Sequence, residues 1–253
     1  MLEFRDVHYA VDDVSILEGI SLSIADDEFV LVVGANGSGK TTLLRHCNGL
    51  LTPTTGTVLV DGIPVGADLV AARTAVGMVF QHPRDQFVGA TVGEDVAFGP
   101  ENLGLERAAI DRRVTDALAA VRLEGRERDR IDTLSGGEQS RLAIAGALAM
   151  EPTHLVLDEP FTGLDEPSRK ALLEHLGALA DAGTSILLAT HDLRGVVGLA
   201  DRLLLVVEGT VRADLDPARG LESLVDAGVR IPSEIGGTPA LGSAEAGIGT
   251  GSE

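Results

Sequence analysis

The sequence is poor in cysteine, in aromatic residues and in long apolar runs. Of its 253 residues, one is cysteine (Cys47), one is tyrosine and none is tryptophan, and aromatic residues make up only 3%. A single cysteine cannot form an intramolecular disulfide bond, which excludes a disulfide-stabilised secreted scaffold. No apolar stretch approaches the roughly 18–20 residues that cross a bilayer. The segment from Met1 to Asp6 carries acidic residues where a secretory signal has basic ones, so we expect an intracellular protein.

Basic residues are also scarce. There are 20 lysines and arginines against 39 acidic residues, which gives a formal net charge of −19. Only two of the basic residues are lysines, Lys40 and Lys170. The negative field repels phosphate backbones, which argues against a general nucleic-acid binder. Acidic residues are spread over the whole chain, and this pattern suggests adaptation to a cytoplasm of high salt concentration.

Apolar periodicity predicts alternating strands and helices. We expect strands at 2–7, 21–24, 29–33, 57–60, 76–80, 154–157, 185–190 and 203–207. We expect helices at 41–49, 106–123, 136–150 and 167–182, with a short helix after Asp192. The alternating order predicts an α/β fold with a parallel sheet. The segment 231–253 is rich in small residues and proline, so we expect it to be disordered.

A glycine-rich phosphate-binding pattern lies between a predicted strand and a predicted helix. Residues 34–41, GANGSGKT, match G-x-x-x-x-G-K-[S/T] in the context that this pattern requires. Backbone N–H groups and the start of the helix attract anions, Lys40 adds a positive charge, and Thr41 is a candidate Mg²⁺ ligand. A glycine-rich turn that matches by accident is the alternative, and chance matches to this pattern are rare.

Two adjacent carboxylates follow the predicted strand 154–157. Side-chain alternation places Asp158 and Glu159 toward opposite faces at the strand end. Asp158 is a candidate Mg²⁺ ligand, and Glu159 is a candidate base for a water molecule that attacks the γ-phosphate. Taken alone, such a pair is most often a solvated strand end. Its position downstream of a phosphate-binding loop favours the catalytic interpretation.

A second glycine-rich helix start occurs at 134–139, LSGGEQ. Ser135 is a natural N-cap, and Gly136 and Gly137 allow an anion to approach the backbone closely. Without further context, this segment is an ordinary capped helix start.

Taken together and in this order, these motifs resemble those of ATP-binding-cassette (ABC) ATPases over residues 2–220. The resemblance adds Gln81 as the Gln loop, Asp165 in the Gly-Leu-Asp sequence of the D-loop, and His191 as the γ-phosphate sensor. It implies a P-loop core with an N-terminal antiparallel β subdomain, a helical subdomain inserted at about 87–150, and a C-terminal extension at 221–253. It implies a catalytic set of Glu159, His191 and Gln81 that hydrolyses ATP.

The resemblance also implies the cofactor contacts. Mg²⁺ would be held by Thr41, Gln81 and Asp158. ATP would be contacted by Tyr9, Asn36, Gly37, Ser38, Gly39, Lys40, Thr41, Thr42, Ser135, Gly136, Gly137 and Asp165. Tyr9 corresponds to an adenine-stacking aromatic residue in this comparison, and packing at the edge of the core is the alternative. In the family two cassettes pack head to tail, so Ser135 and Gly137 would contact ATP held by the other chain.

Two segments, 79–87 and 92–105, look like those of energy-coupling factor ATPases. That resemblance implies a second ATPase subunit, identical or paralogous, and a transmembrane coupling protein with a small substrate-binding membrane protein. The complex would import a vitamin or a cobalt or nickel ion, with the ATPase on the cytoplasmic face of the membrane. Alternatives are an ATPase of another ABC transporter, a soluble cassette in DNA repair or translation, and a regulator without turnover. Soluble cassettes usually add a second cassette or a basic surface, and regulators lack part of the catalytic set.

Overall fold

The computed structural model describes residues 1–219 together with Leu221, Leu224, Val229 and Arg230. The strands are β1 Leu2–Val11, β2 Val14–Ile24, β3 Phe29–Val33, β4 Thr55–Val60, β5 Ile63–Pro64, β6 Val76–Val79, β7 His154–Asp158, β8 Ser185–Thr190, β9 Arg202–Val207 and β10 Thr210–Leu215. The α-helices are α1 Lys40–His46, α2 Leu69–Ala75, α3 Val92–Asn102, α4 Arg107–Ala120, α5 Gly136–Leu148 and α6 Glu166–Asp181. The segment 231–253, for which we expect disorder, lies outside the described residues.

The strands form two sheets. The larger sheet has the order β10-β9-β3-β8-β7-β6, in which β10 is an antiparallel edge strand and the other five strands are parallel. The smaller sheet is antiparallel, with the order β2-β1-β4-β5. Because parallel strands point the same way, the loops that follow β3, β6, β7 and β8 emerge at one edge of the larger sheet.

Alternation along β3 separates two apolar cores. Leu31 and Val33 face a core shared with α3, α4, α5 and α6. Val30 and Val32 face a second core shared with α1 and the smaller sheet. All five residues of β3 are buried, as expected for a strand covered on both faces. The larger sheet therefore holds its loops on a scaffold packed from both sides.

Several elements differ from the sequence-based expectation. The short helix expected after Asp192 is a single 3₁₀ turn at Val197–Leu199. The Asp192 carboxylate accepts a hydrogen bond from the Arg194 N–H, and Gly195 has φ of 75°, which together favour a turn. Helix α1 ends at His46, three residues before Gly49. Helix α2 and the edge strand β10 were not predicted by the apolar pattern.

Helices α3, α4 and α5 occupy most of the segment between 87 and 150. The domain boundaries at 87, 150 and 220 stay predictions. Over the residues that the structure describes, no helix has both the length and the apolar character that a membrane crossing needs.

Candidate active site

The loop between β3 and α1 needs its glycines for its backbone conformation and for its packing. Gly37 and Gly39 have φ of 81° and 106°, in the left-handed region that glycine adopts without strain. Gly34 packs against β9 so closely that a Cβ atom there would lie 2.2 Å from the carbonyl oxygen of Val206. The glycines of the sequence pattern thus meet two separate needs, backbone conformation and close packing.

Lys40 lies at the base of this loop. Its Nζ donates hydrogen bonds to the carbonyl oxygens of Gly34 at 2.8 Å and Ala35 at 3.0 Å. Glu159 Oε1 is 3.8 Å from the same nitrogen, and both side chains are buried. Burial lowers the pKa of Lys40, and the nearby Glu159 and Asp158 carboxylates oppose that shift. The site therefore presents one ammonium group flanked by two carboxylates.

Asp158, the last residue of β7, contacts the start of α1. Thr41 Oγ1 donates a hydrogen bond to Asp158 Oδ1 at 3.1 Å, and Asp158 is only 2% exposed. Burial raises the pKa of this carboxyl group. A hydroxyl and a carboxylate oxygen held together in this way form a donor set that suits Mg²⁺.

Glu159 leaves the extended conformation, so the predicted alternation of the two carboxylates stops at Asp158. Its φ is 47°, and its N–H donates to the carbonyl oxygen of Ala189 at 2.9 Å. A glutamate in the left-handed region costs of order 1–3 kcal/mol, and such strain concentrates at functional sites. The turn brings Glu159 to the same side as Lys40.

Strand β8 and the residue that follows it supply two further partners of Glu159. Thr190 Oγ1 donates to Glu159 Oε2 at 3.3 Å, and His191 Nδ1 lies 2.9 Å from Glu159 Oε1. These contacts follow from the parallel pairing of β7 with β8, in which Asp158 is in register with Ala189. The carboxylate is thereby fixed in orientation by two neighbours, as a positioned base requires.

A cavity of about 460 Å³ opens over these groups. It is lined by Ile16, Asn36, Gly37, Gly39, Lys40, Thr41, Thr42, Gln81 and Glu159. Gln81 comes from the loop after β6 and also lines a neighbouring cavity that contains Asp158. Next to the loop glycines, the buried Ser38 hydroxyl has no hydrogen-bond partner among the described residues. Phosphate oxygens fit such a cavity, because they accept from N–H, ammonium and hydroxyl groups alike.

Tyr9 is not among the residues that line this cavity. Its half-buried ring packs edge-on against His46, with centroids 5.0 Å apart and an interplanar angle of 77°. Tyr9 packs at the edge of the core, and the contact with adenine that the resemblance implies for it stays a prediction. Ile16 provides apolar lining instead, and no sequence pattern marks it. The sequence analysis also did not predict Thr190 as a site residue. Only its position next to His191 could have indicated it.

The second glycine-rich motif lies elsewhere on the surface. Ser135 caps α5: its Oγ accepts from the Glu138 N–H, while Glu138 Oε2 accepts from the Ser135 N–H. A Cβ atom on Gly137 would lie 2.4 Å from Ser168 Oγ, near the start of α6. The N-cap of α6 is Asp165, which accepts from the Ser168 N–H at 3.0 Å.

Ser135, Gly136 and Asp165 are exposed, and none of them lines the cavity over Lys40. Within one chain, the structure brings together the phosphate loop, Gln81, Asp158, Glu159 and His191. It places the segment 134–139, which is the signature motif in the resemblance to ABC ATPases, together with Asp165 at a separate, accessible surface.

Comparison with known proteins decides the family. The model of the ABC transporter family matches residues 17–162, more than half of the chain. The chain belongs to the ABC transporter ATPase family. This ABC ATPase is 61% identical over 232 residues to a putative ABC transporter ATP-binding protein of Halobacterium salinarum, covering 92% of this chain and 100% of the relative.

Two further relatives have names that specify a type of transporter. The ABC ATPase is 44% identical to the cobalt import ATP-binding protein CbiO of Syntrophus aciditrophicus, covering 86% of this chain and 79% of that protein. It is 41% identical to the energy-coupling factor transporter ATP-binding protein EcfA of Methanocaldococcus jannaschii, covering 92% and 86% respectively.

Solved structures share the fold. CbiO1 of Clostridium perfringens, described as part of the ABC transporter complex CbiONQ, has a TM-score of 0.80 and 34% identity, covering 87% of this chain and 90% of its own. A dimeric ATP-binding cassette in a post-hydrolysis state with ADP and phosphate has a TM-score of 0.76 and 27% identity, covering 86% and 99%. The predicted family, the P-loop α/β fold and the assignment as an ATP-binding ATPase are confirmed.

Proposed function

We propose that this ABC ATPase powers an importer of the energy-coupling factor type, which takes up a vitamin or a transition-metal ion. Two observations support the proposal. Relatives at 41% and 44% identity carry energy-coupling factor and cobalt import names. The segments 79–87 and 92–105, which resemble that group in sequence, lie beside the cavity and along α3. An ATPase of another ABC transporter is the alternative.

The cavity residues take the following roles in this proposal. Lys40 and the loop N–H groups bind the phosphates, and Glu159 accepts the proton of the attacking water. Thr190 and His191 orient the Glu159 carboxylate, and His191 acts as the γ-phosphate sensor that the resemblance implies.

Mg²⁺ suits the Thr41 and Asp158 oxygens, with Gln81 nearby as a third candidate ligand. When bound, the ion neutralises phosphate charge. Asp158 is buried beside Thr41, and all three candidate ligands line the neighbouring cavity.

The position of the signature supports a shared ATP site between two chains. Ser135 and Gly136 are exposed at the start of α5, and the cavity over Lys40 is open to solvent on another part of the chain. Backbone N–H groups at a capped helix start attract phosphate. A second cassette, identical or paralogous, would place its own Ser135 equivalent over this ATP, and a related cassette has been solved as a dimer.

An apolar groove supports the proposed docking of a transmembrane coupling protein. It has a volume of about 350 Å³ and lies between the larger sheet and helices α3 and α5. Val88, Phe98 and Leu50 line it and are 62%, 45% and 43% exposed, so the groove presents several apolar side chains in one place. Docking here would hold the ATPase at the cytoplasmic face of the membrane. The small substrate-binding membrane protein would then be carried by the coupling protein.

Nucleotide-driven dimerisation tests the shared site. Glu159→Gln should bind ATP without hydrolysing it, and light scattering with ATP and Mg²⁺ should then show a dimer. Adding Ser135→Arg should leave a monomer that still binds ATP, because the new side chain blocks the phosphate contact. Thr91→Arg is the matched control, since Thr91 caps α3 with the same reciprocal hydrogen bonds. A dimer that persists with Ser135→Arg would refute the shared site.

Co-purification from native membranes tests the importer. The wild-type ATPase should be recovered with a multi-span coupling protein and a smaller multi-span protein. Phe98→Asp should abolish this recovery and preserve ATP binding, whereas Ile63→Asp should preserve both, since Ile63 is a 52% exposed apolar residue outside the groove. The proposal is contradicted if the wild-type ATPase is recovered without membrane proteins. It is also contradicted if Phe98→Asp and Ile63→Asp recover equal amounts of them.

A further inference from the structure

Three potential metal ligands meet at the end of the larger sheet opposite the phosphate loop. Asp26 precedes β3, Asp61 follows β4, and His154 is the first residue of β7. One ligand atom from each residue lies within 4.8 Å of the others. Asp158 is four residues farther along β7, so the cluster is separated from the ATP site by about 13 Å of strand. No role in ATP binding or hydrolysis involves these three residues.

His154 lacks the contacts that a buried imidazole normally has. The residue is 1% exposed, and neither ring nitrogen has a hydrogen-bond partner among the described residues. Its Nε2 lies 3.6 Å from Asp26 Oδ1, so the ring points into the cluster. Neutral imidazole nitrogen is the commonest metal ligand among side chains. Buried polar atoms without partners are rare and call for an explanation.

The two carboxylates already bind a cation. The Met1 amino group donates to Asp26 Oδ1 at 2.6 Å and to Asp61 Oδ1 at 2.7 Å, and it holds the pKa of Asp26 below its usual range. Both aspartates are exposed, so an ion in solution can reach them. A positive charge between these carboxylates is therefore favourable, although this amino group does not satisfy the imidazole.

We propose that Asp26, Asp61 and His154 bind a divalent first-row transition-metal ion, with Zn²⁺ and Co²⁺ as representative ions. The imidazole ligand favours these ions over Mg²⁺ and Ca²⁺, which prefer sites composed of oxygen atoms. Two ligands of a tetrahedral Zn²⁺ ion, each about 2.1 Å from the metal, lie about 3.4 Å apart. The observed 3.6 Å between Nε2 and Oδ1 is close to that separation. The Met1 ammonium group then leaves the carboxylates, and the ion takes its place.

A bound ion would connect the two sheets. Asp61 belongs to the smaller sheet through β4, and His154 belongs to the larger sheet through β7. The connection would therefore stabilise the junction between the antiparallel subdomain and the core without contacting the nucleotide. Because the ion binds only the folded chain, its concentration should raise the melting temperature.

Cobalt titration of the full chain tests this site directly. After chelator treatment, and in excess Mg²⁺ without nucleotide, Co²⁺ should produce the visible absorption of a bound ion at one equivalent per chain. Asp61→Asn should weaken binding at least about tenfold. Asp116→Asn is the matched control, because Asp116 is an exposed aspartate on α4 outside the cluster, and it should bind like the wild type. Zn²⁺ should raise the melting temperature of the wild type and of this control only.

His154→Leu separates the ligand role from folding. This variant should lose Co²⁺ binding and keep ATP binding, which shows that the distant loop is intact. Its melting temperature without metal should equal or exceed that of the wild type, since it removes two unpaired buried nitrogens. Equal Co²⁺ affinity for Asp61→Asn and Asp116→Asn overturns the proposal, and so does full Co²⁺ binding by folded His154→Leu. In either case the two aspartates only bind the Met1 amino group. The Co²⁺ titration and the melting temperatures require neither transport nor a known transported substrate.

Discussion

Glu138→Gln tests how the start of α5, and with it the signature, is held in place. Glu138 Oε2 accepts from the Ser135 N–H at 2.7 Å, and Oε1 accepts from Arg126 at 2.9 Å. The backbone hydrogen bond from Ser135, followed by the Arg126 contact, lowers the pKa of Glu138 from 4.5 to about 2. Glutamine can still accept the Ser135 N–H, so the variant removes mainly the charge.

The expected loss in the free energy of unfolding follows from the shift in the pKa of Glu138. A change from 4.5 to about 2 corresponds to roughly 3 kcal/mol at about 1.36 kcal/mol per pKa unit. The side chain is 23% exposed, and solvent screening reduces the loss in the free energy of unfolding to about 1–2 kcal/mol. Because the folded-state pKa lies below the unfolded one, the stabilisation is complete above about pH 4.5 and disappears as the pH falls toward about 2.

Urea unfolding at constant salt concentration measures this loss. The wild type should exceed Glu138→Gln in stability at about pH 7, and the difference should shrink at about pH 3. Glu94→Gln is the matched control, since Glu94 completes the same reciprocal cap with Thr91 but has no arginine contact in the described structure. Glu94→Gln should therefore lose less free energy of unfolding than Glu138→Gln. A difference that is independent of pH, or equal losses for both variants, would refute the reasoning.

Three further predictions concern the phosphate loop and the charge of the chain. Lys40→Ala should weaken ATP binding at least about tenfold in a nucleotide titration, because a charge-assisted phosphate contact is lost; unchanged affinity would exclude that contact. Gly34→Ala should destabilise the fold by about 1–3 kcal/mol, because its Cβ would approach the Val206 carbonyl oxygen. Thermal melts should show a much smaller loss for Gly66→Ala, whose Cβ would have no atom of the described residues within 4 Å, and equal losses would contradict the close approach at Gly34. The melting temperature should rise between about 0.01 M and 1 M KCl as the Debye length falls from about 30 Å to about 3 Å, and a flat response would refute the high-salt hypothesis.

Local sequence patterns predicted the elements whose structure depends on neighbouring residues. The apolar run at 29–33, followed by the glycine-rich loop and Lys40, predicted a buried strand, a phosphate loop and a helix, and the structure has all three. Ser135 was correctly predicted as an N-cap because capping requires only the N–H groups of the next turn. The short helix expected after Asp192 is only one 3₁₀ turn at 197–199, because a side-chain contact and Gly195 produce a turn before it.

Through their resemblance to those of ABC ATPases, the ordered motifs predicted the family, the P-loop fold and the ATPase activity, since each motif combines a local conformation with a particular chemistry. Only the tertiary structure decided which residues meet. The pairing of β7 with β8 brings Thr190 and His191 to Glu159, and the packing of β1 places Tyr9 on His46 and outside the cavity. These contacts join segments far apart in the chain, and their geometry depends on strand register and on a left-handed residue, which no local pattern specifies.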